Sequence, residues 1–222
     1  MGRTYTLVNQ KGGVGKTTTA VNLSACTAVA EHPTLLIDID PQANATSGLG
    51  IKKDEVKTSI YEVLIGEGDI REAILPAPNL PFLDILPAHQ RLIGAEIELV
   101  NVMARETRLK RALEAARNDY HYIFIDCPPS LGLLTVNTLT AADSVIVPIQ
   151  CEYYALEGLG QLLNSIRLVQ RNLNADLRIE GILLTMYDGR LNLARQVADA
   201  KAADAVDLQA LLTGPSTWKV GS

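Results

Sequence analysis

The sequence predicts a single α/β domain in which a mostly parallel, twisted sheet is covered by helices on both faces. Short apolar runs rich in Val, Ile and Leu alternate with longer helical patterns along the chain. Strands of this composition are typical of parallel sheets that are buried on both faces. In addition, a glycine-rich segment joins the first apolar run to an alanine-rich amphipathic segment, which gives the order strand, loop and helix.

The positions of the strands and helices follow from the period of the apolar residues. The turn-rich stretches between them, such as 66–69 and 76–79, are short and join elements within one domain. The predicted strands are 5–9, 34–38, 82–86, 122–126, 144–148 and 179–185, and the predicted helices are 17–31, 96–119, 131–141 and 156–172.

The composition excludes several classes of protein. The chain has 222 residues, of which 47% are hydrophobic and 20% are charged, and no apolar run is long enough to cross a membrane. Cys26, Cys127 and Cys151 lie far apart, which favours core thiols in a reducing cytoplasm over a disulfide framework or a metal site. The net charge of −5 leaves room for nucleic-acid binding through a local basic face.

The glycine-rich segment reads Gln10-Lys11-Gly12-Gly13-Val14-Gly15-Lys16-Thr17. Its glycines allow successive backbone N–H groups to point at a phosphate, and the N-terminus of the next helix adds donors and partial positive charge. Lys16 is expected to reach the terminal phosphates of a nucleotide, and Thr17 is expected to hold Mg²⁺. A tight turn is the alternative explanation, but Gly-Lys-Thr between a strand and a helix favours a P-loop NTPase-type fold.

This segment departs from the usual P-loop in two positions. Gln10 stands where a glycine is expected, and a second lysine, Lys11, follows it. Lys11 is placed too early to act as Lys16 does. Its expected partner is therefore a phosphate bound to a facing subunit.

Two further strands end in carboxylates, at the edge where an open α/β sheet places its ligands. The spacing of Asp38 and Asp40 points both side chains to one side, toward one cation or one water near the terminal phosphate. An Asx turn that ends the strand at Pro41 is the alternative for one of them. Asp126 is typical of a residue that orients Mg²⁺ through water. Its alternative role is to cap the next helix, although Ser130 is better placed as that cap.

A polar and aromatic loop follows the predicted strand at 144–148. It contains Glu152, which is expected either to reach a ribose across a dimer interface or to be an exposed carboxylate without a specific role. The residues alone leave both interpretations open.

Several motifs together resemble the ParA/Soj partition ATPases. These belong to the deviant-Walker-A group, which also contains the cell-division regulator MinD and the nitrogenase iron protein. The resemblance covers residues 4–199. It rests on the loop with the additional lysine and on the motifs Asp38-Ile39-Asp40-Pro41-Gln42, Asn44-Ala45-Thr46-Ser47-Gly48, Leu86-Pro87-Ala88, Gly94-Ala95-Glu96, Asp126-Cys127-Pro128-Pro129-Ser130 and Leu184-Thr185-Met186-Tyr187-Asp188.

The resemblance implies a cytoplasmic, nucleoid-associated ATPase that binds ATP and Mg²⁺ and closes into a homodimer with two nucleotides sandwiched between the subunits. The ATP-bound dimer would bind double-stranded DNA without sequence preference. Slow hydrolysis, stimulated by a ParB-type centromere-binding protein, would release it. This cycle would move plasmids or chromosome origins, and it would not involve binding to a membrane.

The resemblance also implies roles for individual residues. Lys11 would reach the phosphates of the partner subunit, Lys16 the phosphates of its own subunit, and Asp40 the attacking water. Thr17 would bind Mg²⁺, and Asp126 would act on the metal through water. The nucleotide would contact Glu152 and the loop residues Lys11, Gly12, Gly13, Val14, Gly15, Lys16, Thr17 and Thr18.

Two further positions carry implied contacts with macromolecules. Gly12 would lie at the close approach of the two subunits, where any side chain should clash. Arg190 would contact DNA.

The sequence departs from the family after residue 199. We therefore expect an ATPase domain at 1–199 and a divergent tail at 200–222, in place of the usual last strand, Ile-Pro-Arg-Asn loop and closing helix. A MinD-like spatial regulator is one alternative, but it would end in a basic amphipathic helix, whereas 202–212 carries acidic residues. An iron–sulfur reductase of the same fold is a second alternative, but it would need cysteines from each subunit that share a cluster, whereas Cys127 lies inside the motif at 126–130. A nucleotide-gated binding module with weak or no turnover is the third alternative.

Overall fold

The computed structural model describes residues 2–150, 155–188 and 190. In this part of the chain the strands are β1 (Arg3–Leu7), β2 (Thr34–Asp38), β3 (Leu75–Pro76), β4 (Leu83–Leu86), β5 (Tyr122–Asp126), β6 (Ser144–Gln150) and β7 (Arg178–Thr185). They form one sheet in the order β3-β4-β2-β5-β1-β6-β7. Every neighbouring pair is parallel except β3 with β4.

Helices cover both faces of this sheet. The α-helices of the described residues are α1 (Lys16–Val29), α2 (Asn44–Gly48), α3 (Ile60–Ile65), α4 (Ile70–Ala73), α5 (Leu92–Glu98), α6 (Arg108–Leu113), α7 (Leu133–Ala141) and α8 (Ala155–Asn172). The predicted mostly parallel α/β fold is therefore confirmed.

The core consists of two apolar clusters, one on each face of the sheet. Successive residues of a strand point to opposite faces, so Leu36 of β2 packs with Ala20 and Ala28 of α1, whereas Leu35 and Ile37 pack on the other side. The cluster that contains Leu35 and Ile37 also includes buried residues of α3, α5, α6, α7 and α8. This two-sided burial explains why β2 and β5 match their predicted bounds.

The single helix predicted at 96–119 is wrong. Ala104 adopts a left-handed conformation with φ of 54°, which interrupts the helix. The buried Asn137 then binds the main chain at the interruption, because its Oδ1 accepts from Leu109 N at 3.1 Å and its Nδ2 donates to the Arg105 carbonyl at 2.9 Å. Two short helices, α5 and α6, with 3₁₀ turns between them replace the predicted one.

The short elements β3, α2, α3 and α4 were not predicted, because each spans too few residues to show a period. A local signal was present for α3, where Ser59 and Glu62 form a capping box. Smaller differences concern element ends. For example, β1 covers residues 3–7 rather than 5–9.

Candidate functional site

The glycine-rich loop connects β1 to α1 at the carboxyl end of the sheet. Gly13 and Gly15 have φ of 75° and 85°, in the left-handed region that favours glycine. Gly15 is the N-cap of α1, and no described side chain caps this helix end. The first N–H groups of α1 are therefore available to an anion, as expected for a phosphate-binding loop.

Asn9 fixes the start of this loop. Its Oδ1 accepts from Lys11 N at 3.0 Å, and its Nδ2 donates to the Pro148 carbonyl at the end of β6 at 2.8 Å. Our sequence reasoning assigned no role to Asn9. An asparagine where a predicted strand gives way to a loop is a signal for such a local hydrogen bond.

Lys16 lies under the loop with only 7% of its surface exposed. Its Nζ donates to the Lys11 carbonyl at 3.2 Å. Burial lowers the pKa of Lys16, whereas Cys127, Asp126 and Asp40 act in the opposite direction. A buried ammonium near carboxylates is placed to receive further anionic charge.

Asp126 is the most unusual carboxylate of the site. It ends β5 in register with Leu7 of β1 and with Asp38 of β2. It has no exposed surface, and neither of its carboxylate oxygens has a hydrogen-bond partner among the described residues. Burial, and secondly the charge of Asp38, raise the pKa of Asp126 to about 7. The Thr17 hydroxyl, which lies near the carboxylate without reaching hydrogen-bond geometry, and the charge of Lys16 lower it. A bound cation would relieve this unfavourable burial of a carboxylate.

Asp38 departs from the prediction that both aspartates of β2 approach one cation. Its Oδ2 accepts from Thr46 N at 2.8 Å and from Thr46 Oγ1 at 2.7 Å, and its Oδ1 accepts from Asp40 N at 3.2 Å. Burial raises the pKa of Asp38 to about 6, and these hydrogen bonds oppose the rise. Asp38 is therefore a buried anchor for the following loop.

Asp40 lies in the site but is bonded to its own loop. Its Oδ1 accepts from Gln42 N at 2.9 Å, which is the Asx turn that we considered as the alternative. Its charge acts on Lys16 and also contributes to the raised pKa of Asp126. The structure thus brings Asp40, Lys16 and Asp126 together.

Thr46 connects three parts of the site, and sequence reasoning gave it no role. Besides its bonds to Asp38, its Oγ1 accepts at 3.0 Å from the N–H of Ala88, which lies two residues beyond the end of β4. Thr46 is completely buried. It therefore ties the ends of β2 and β4 to α2.

The loop between β5 and α7 is held by α5. Helix α7 begins two residues later than predicted, and its N-cap is Gly132. Ser130 is therefore not the cap, and its carbonyl instead accepts from Thr135 Oγ1 at 2.7 Å. Glu96 of α5 accepts from Leu134 N at 3.5 Å. A Cβ at Gly132 would approach Glu96 Oε1 closely, so the absence of a side chain allows this contact.

The cysteines have different environments. Cys127 is buried between Thr6 and Thr138, with Sγ to Oγ1 distances of 3.0 and 3.2 Å, and burial raises its pKa to about 12. This confirms that Cys127 is a core thiol. Cys26 is exposed on α1, so the same prediction is wrong there, and Cys151 lies outside the described residues.

Arg190 is exposed and forms a two-point ion pair with Asp188, with Nε to Oδ1 at 2.9 Å and Nη2 to Oδ2 at 2.7 Å. The predicted nucleotide contact Glu152 and the predicted tail at 200–222 lie outside the described residues. Of the helices in the described part of the chain, none is long and apolar enough to cross a membrane.

Comparisons with known proteins agree with this geometry. Residues 2–179 match the model of a family described as an AAA domain. The chain is 60% identical over 199 residues to the sporulation initiation inhibitor protein Soj of Bacillus subtilis, covering 90% of this chain and 78% of that protein. It is 58% identical over 199 residues to the chromosome partitioning protein ParA of Myxococcus xanthus, covering 90% and 70%.

A solved structure gives the same fold. The cobyrinic acid a,c-diamide synthase of Mycobacterium smegmatis, with bound ADP and magnesium, superposes with a TM-score of 0.87 at 43% identity, covering 91% of this chain and 82% of that one. The chain belongs to the ParA/Soj family of partition ATPases.

Proposed function

We propose that this protein binds ATP with Mg²⁺, hydrolyses ATP and uses the cycle to partition DNA. The observation that carries the proposal is the convergence of three groups at the carboxyl ends of adjacent strands. Lys16 follows β1, Asp40 follows β2, and the buried Asp126 ends β5 between them. The name of the Myxococcus relative, a chromosome partitioning protein, supports a role in chromosome partitioning.

The residues divide the work of phosphoryl transfer as follows. The N–H groups of the loop and of the first turn of α1 bind the phosphates, and Lys16 neutralises the terminal ones. Asp40 orients the attacking water. Phosphoryl transfer depends on positioning and charge neutralisation more than on a strong base, so the Asx-turn bond of Asp40 to Gln42 N is compatible with this role.

The residues present also fit Mg²⁺. Thr17 supplies a hydroxyl at the start of α1, and Asp126 supplies a buried carboxylate without a partner among the described residues. No three His, Cys, Asp or Glu side chains in the described ranges could hold a metal by themselves. Nucleotide oxygens and water would therefore complete the ligand set, as is usual for Mg²⁺. When bound, Mg²⁺ neutralises charge on the phosphates.

Two variants test this assignment. Lys16→Ala should lose nucleotide affinity, and Asp40→Ala should bind ATP but not hydrolyse it. Lys110→Ala, an exposed lysine of α6, is the matched control. Binding of a fluorescent ATP analogue and release of phosphate measure the two steps. Unchanged turnover in Asp40→Ala would contradict its proposed role.

A homodimer with facing nucleotides would explain the additional lysine. Lys11 lies at the mouth of the loop, with its N–H bonded to Asn9 and its carbonyl to Lys16. A Cβ built on Gly12 meets nothing within 4 Å in this chain. Gly12→Val should therefore fold normally and still fail to dimerise with ATP, as measured by light scattering. A variant that dimerises like the wild type would argue against the close approach at Gly12.

DNA binding in the ATP state is the second half of the proposal. Arg190 supports it, since 90% of its side chain is exposed. Fluorescence anisotropy with a random-sequence duplex should show binding with a slowly hydrolysed ATP analogue and not with ADP. Arg190→Ala should weaken binding and its salt dependence, whereas Arg178→Ala at the other end of β7 should not. A ParB-type partner would stimulate turnover.

A nucleotide-gated binding module is the second candidate function. It is favoured by the orientation of Asp40, whose Oδ1 is bonded to Gln42 N. Such a protein would bind the ATP analogue and change state without measurable phosphate release. The turnover assay above separates the two candidates.

A further inference from the structure

The carboxyl end of β7 contacts the glycine-rich loop, which lies at the same end of the sheet. Thr185, the last residue of β7, donates from its Oγ1 to the Val14 carbonyl at 2.8 Å. Its methyl carbon also lies 3.4 Å from the position that a Cβ would take on Gly15. The hydroxyl therefore contacts the loop, and the methyl group lies beside Gly15, where an added side chain would touch it.

The hydrogen bond determines where an N–H group of the loop points. The Val14 carbonyl and the Gly15 N–H belong to one planar peptide unit, in which they point in opposite directions. By holding the carbonyl toward β7, Thr185 directs the Gly15 N–H away from β7. An inward-pointing N–H at this loop is what phosphate binding requires.

This peptide unit needs an external restraint. Gly13 and Gly15 flank Val14, and both are in the left-handed region. Since glycine enters conformations of either sign of φ at little cost, a segment between two glycines can reorient easily. The side chain of Val14 is buried, with 1% exposed, but its peptide carbonyl is fixed by Thr185.

We propose that Thr185 is a positioning residue for nucleotide binding, which aims the Gly15 N–H by holding the Val14 carbonyl. The inference rests on the proposed function, because it assumes that the loop binds nucleotide phosphates. Its hydroxyl should carry the effect, and its methyl group should contribute only packing.

Two substitutions separate the hydroxyl from the methyl group. Thr185→Val keeps the shape and removes the donor, whereas Thr185→Ser keeps the donor. The matched control is Thr140→Val in α7, because the Thr140 hydroxyl also donates to a main-chain carbonyl, that of Val136, at 2.7 Å. Affinity for fluorescent ADP with Mg²⁺ should fall roughly five-fold in Thr185→Val, the equivalent of one hydrogen bond. It should stay near the wild-type value in Thr185→Ser and in Thr140→Val.

Hydrogen exchange of residues 10–17 provides a second measurement that needs no nucleotide. Amide exchange in the loop should be faster in Thr185→Val than in the wild type and unchanged in Thr140→Val. Wild-type affinity in Thr185→Val, or an equal loss in Thr185→Ser, would overturn the inference. If the wild type bound no nucleotide, the proposed function would fail, and unchanged loop exchange in Thr185→Val would then refute the positioning contact separately.

Discussion

Asp126→Asn should stabilise the protein without nucleotide and Mg²⁺, while it weakens the binding of both together. The reason is the environment of the carboxylate, which has no exposed surface and no hydrogen-bond partner among the described residues. Burial raises the pKa of Asp126 from its ordinary value of 3.8 to about 7. Since a tenfold change in an acid dissociation constant corresponds to about 1.4 kcal/mol, we expect ionised Asp126 to lower the free energy of unfolding by about 4 kcal/mol.

The size of this effect depends on pH. A carboxylate whose pKa is raised in the folded state stabilises the fold below its unfolded pKa and loses that contribution as pH rises through the folded value. The gain from Asp126→Asn should therefore be small near pH 4 and reach its full size above about pH 7. We expect about 2–4 kcal/mol at high pH, because the amide must also be accommodated without partners.

Urea unfolding followed by circular dichroism measures this difference, with and without Mg²⁺ and ADP. Asp54→Asn, at an exposed aspartate, is the control for a change of net charge. Mg²⁺ and ADP should stabilise the wild type more than they stabilise Asp126→Asn, because the cation offsets the unfavourable burial of a charged carboxylate and has no such effect on an amide. A variant that is less stable than the wild type at high pH without ligands would refute the reasoning.

Three further predictions concern the stability of the fold. The unliganded wild type should become more stable as pH falls from 8 to about 5.5, since burial raises the pKa of Asp38 to about 6 in addition to that of Asp126. Urea unfolding at several pH values measures this, and a fall in stability over that range would contradict it. Thr46→Val should lower the unfolding free energy by about 2–3 kcal/mol, because Asp38 and the Ala88 N–H lose a partner, and Thr46→Ser should restore most of it in the same assay. Gly2→Ala should lower the free energy of unfolding by about 1–3 kcal/mol, since its Cβ would approach main-chain oxygens closely, whereas Gly12→Ala should be nearly neutral. Equal melting temperatures for the two variants would count against this packing.

The sequence allowed prediction of the features that depend on neighbouring residues. The strands β2 and β5 were predicted with their correct bounds, because both faces are buried and the apolar run is continuous. The glycine-rich loop was found for a similar reason, since its conformation depends on Gly13 and Gly15 themselves.

Features that depend on distant residues could not be predicted. The interruption at Ala104 is held by Asn137 from another helix, so no local pattern marks it. Likewise, two aspartates spaced by one residue appear equivalent in the sequence. Thr46 binds Asp38 and thereby removes it from the set of carboxylates that could approach a cation.

Three polar side chains hold the loops of the site to neighbouring strand ends. Asn9 joins the glycine-rich loop to Pro148 of β6, Thr46 joins the loop after β2 to Ala88 just beyond β4, and Thr185 joins Val14 to β7. Each satisfies buried main-chain groups, so the loops are fixed before any ligand binds. Asp126 differs from them, because its buried oxygens have no partner in the described part of the chain. Part of the unfavourable free energy of the site therefore lies at Asp126, where a bound cation would recover it as binding free energy.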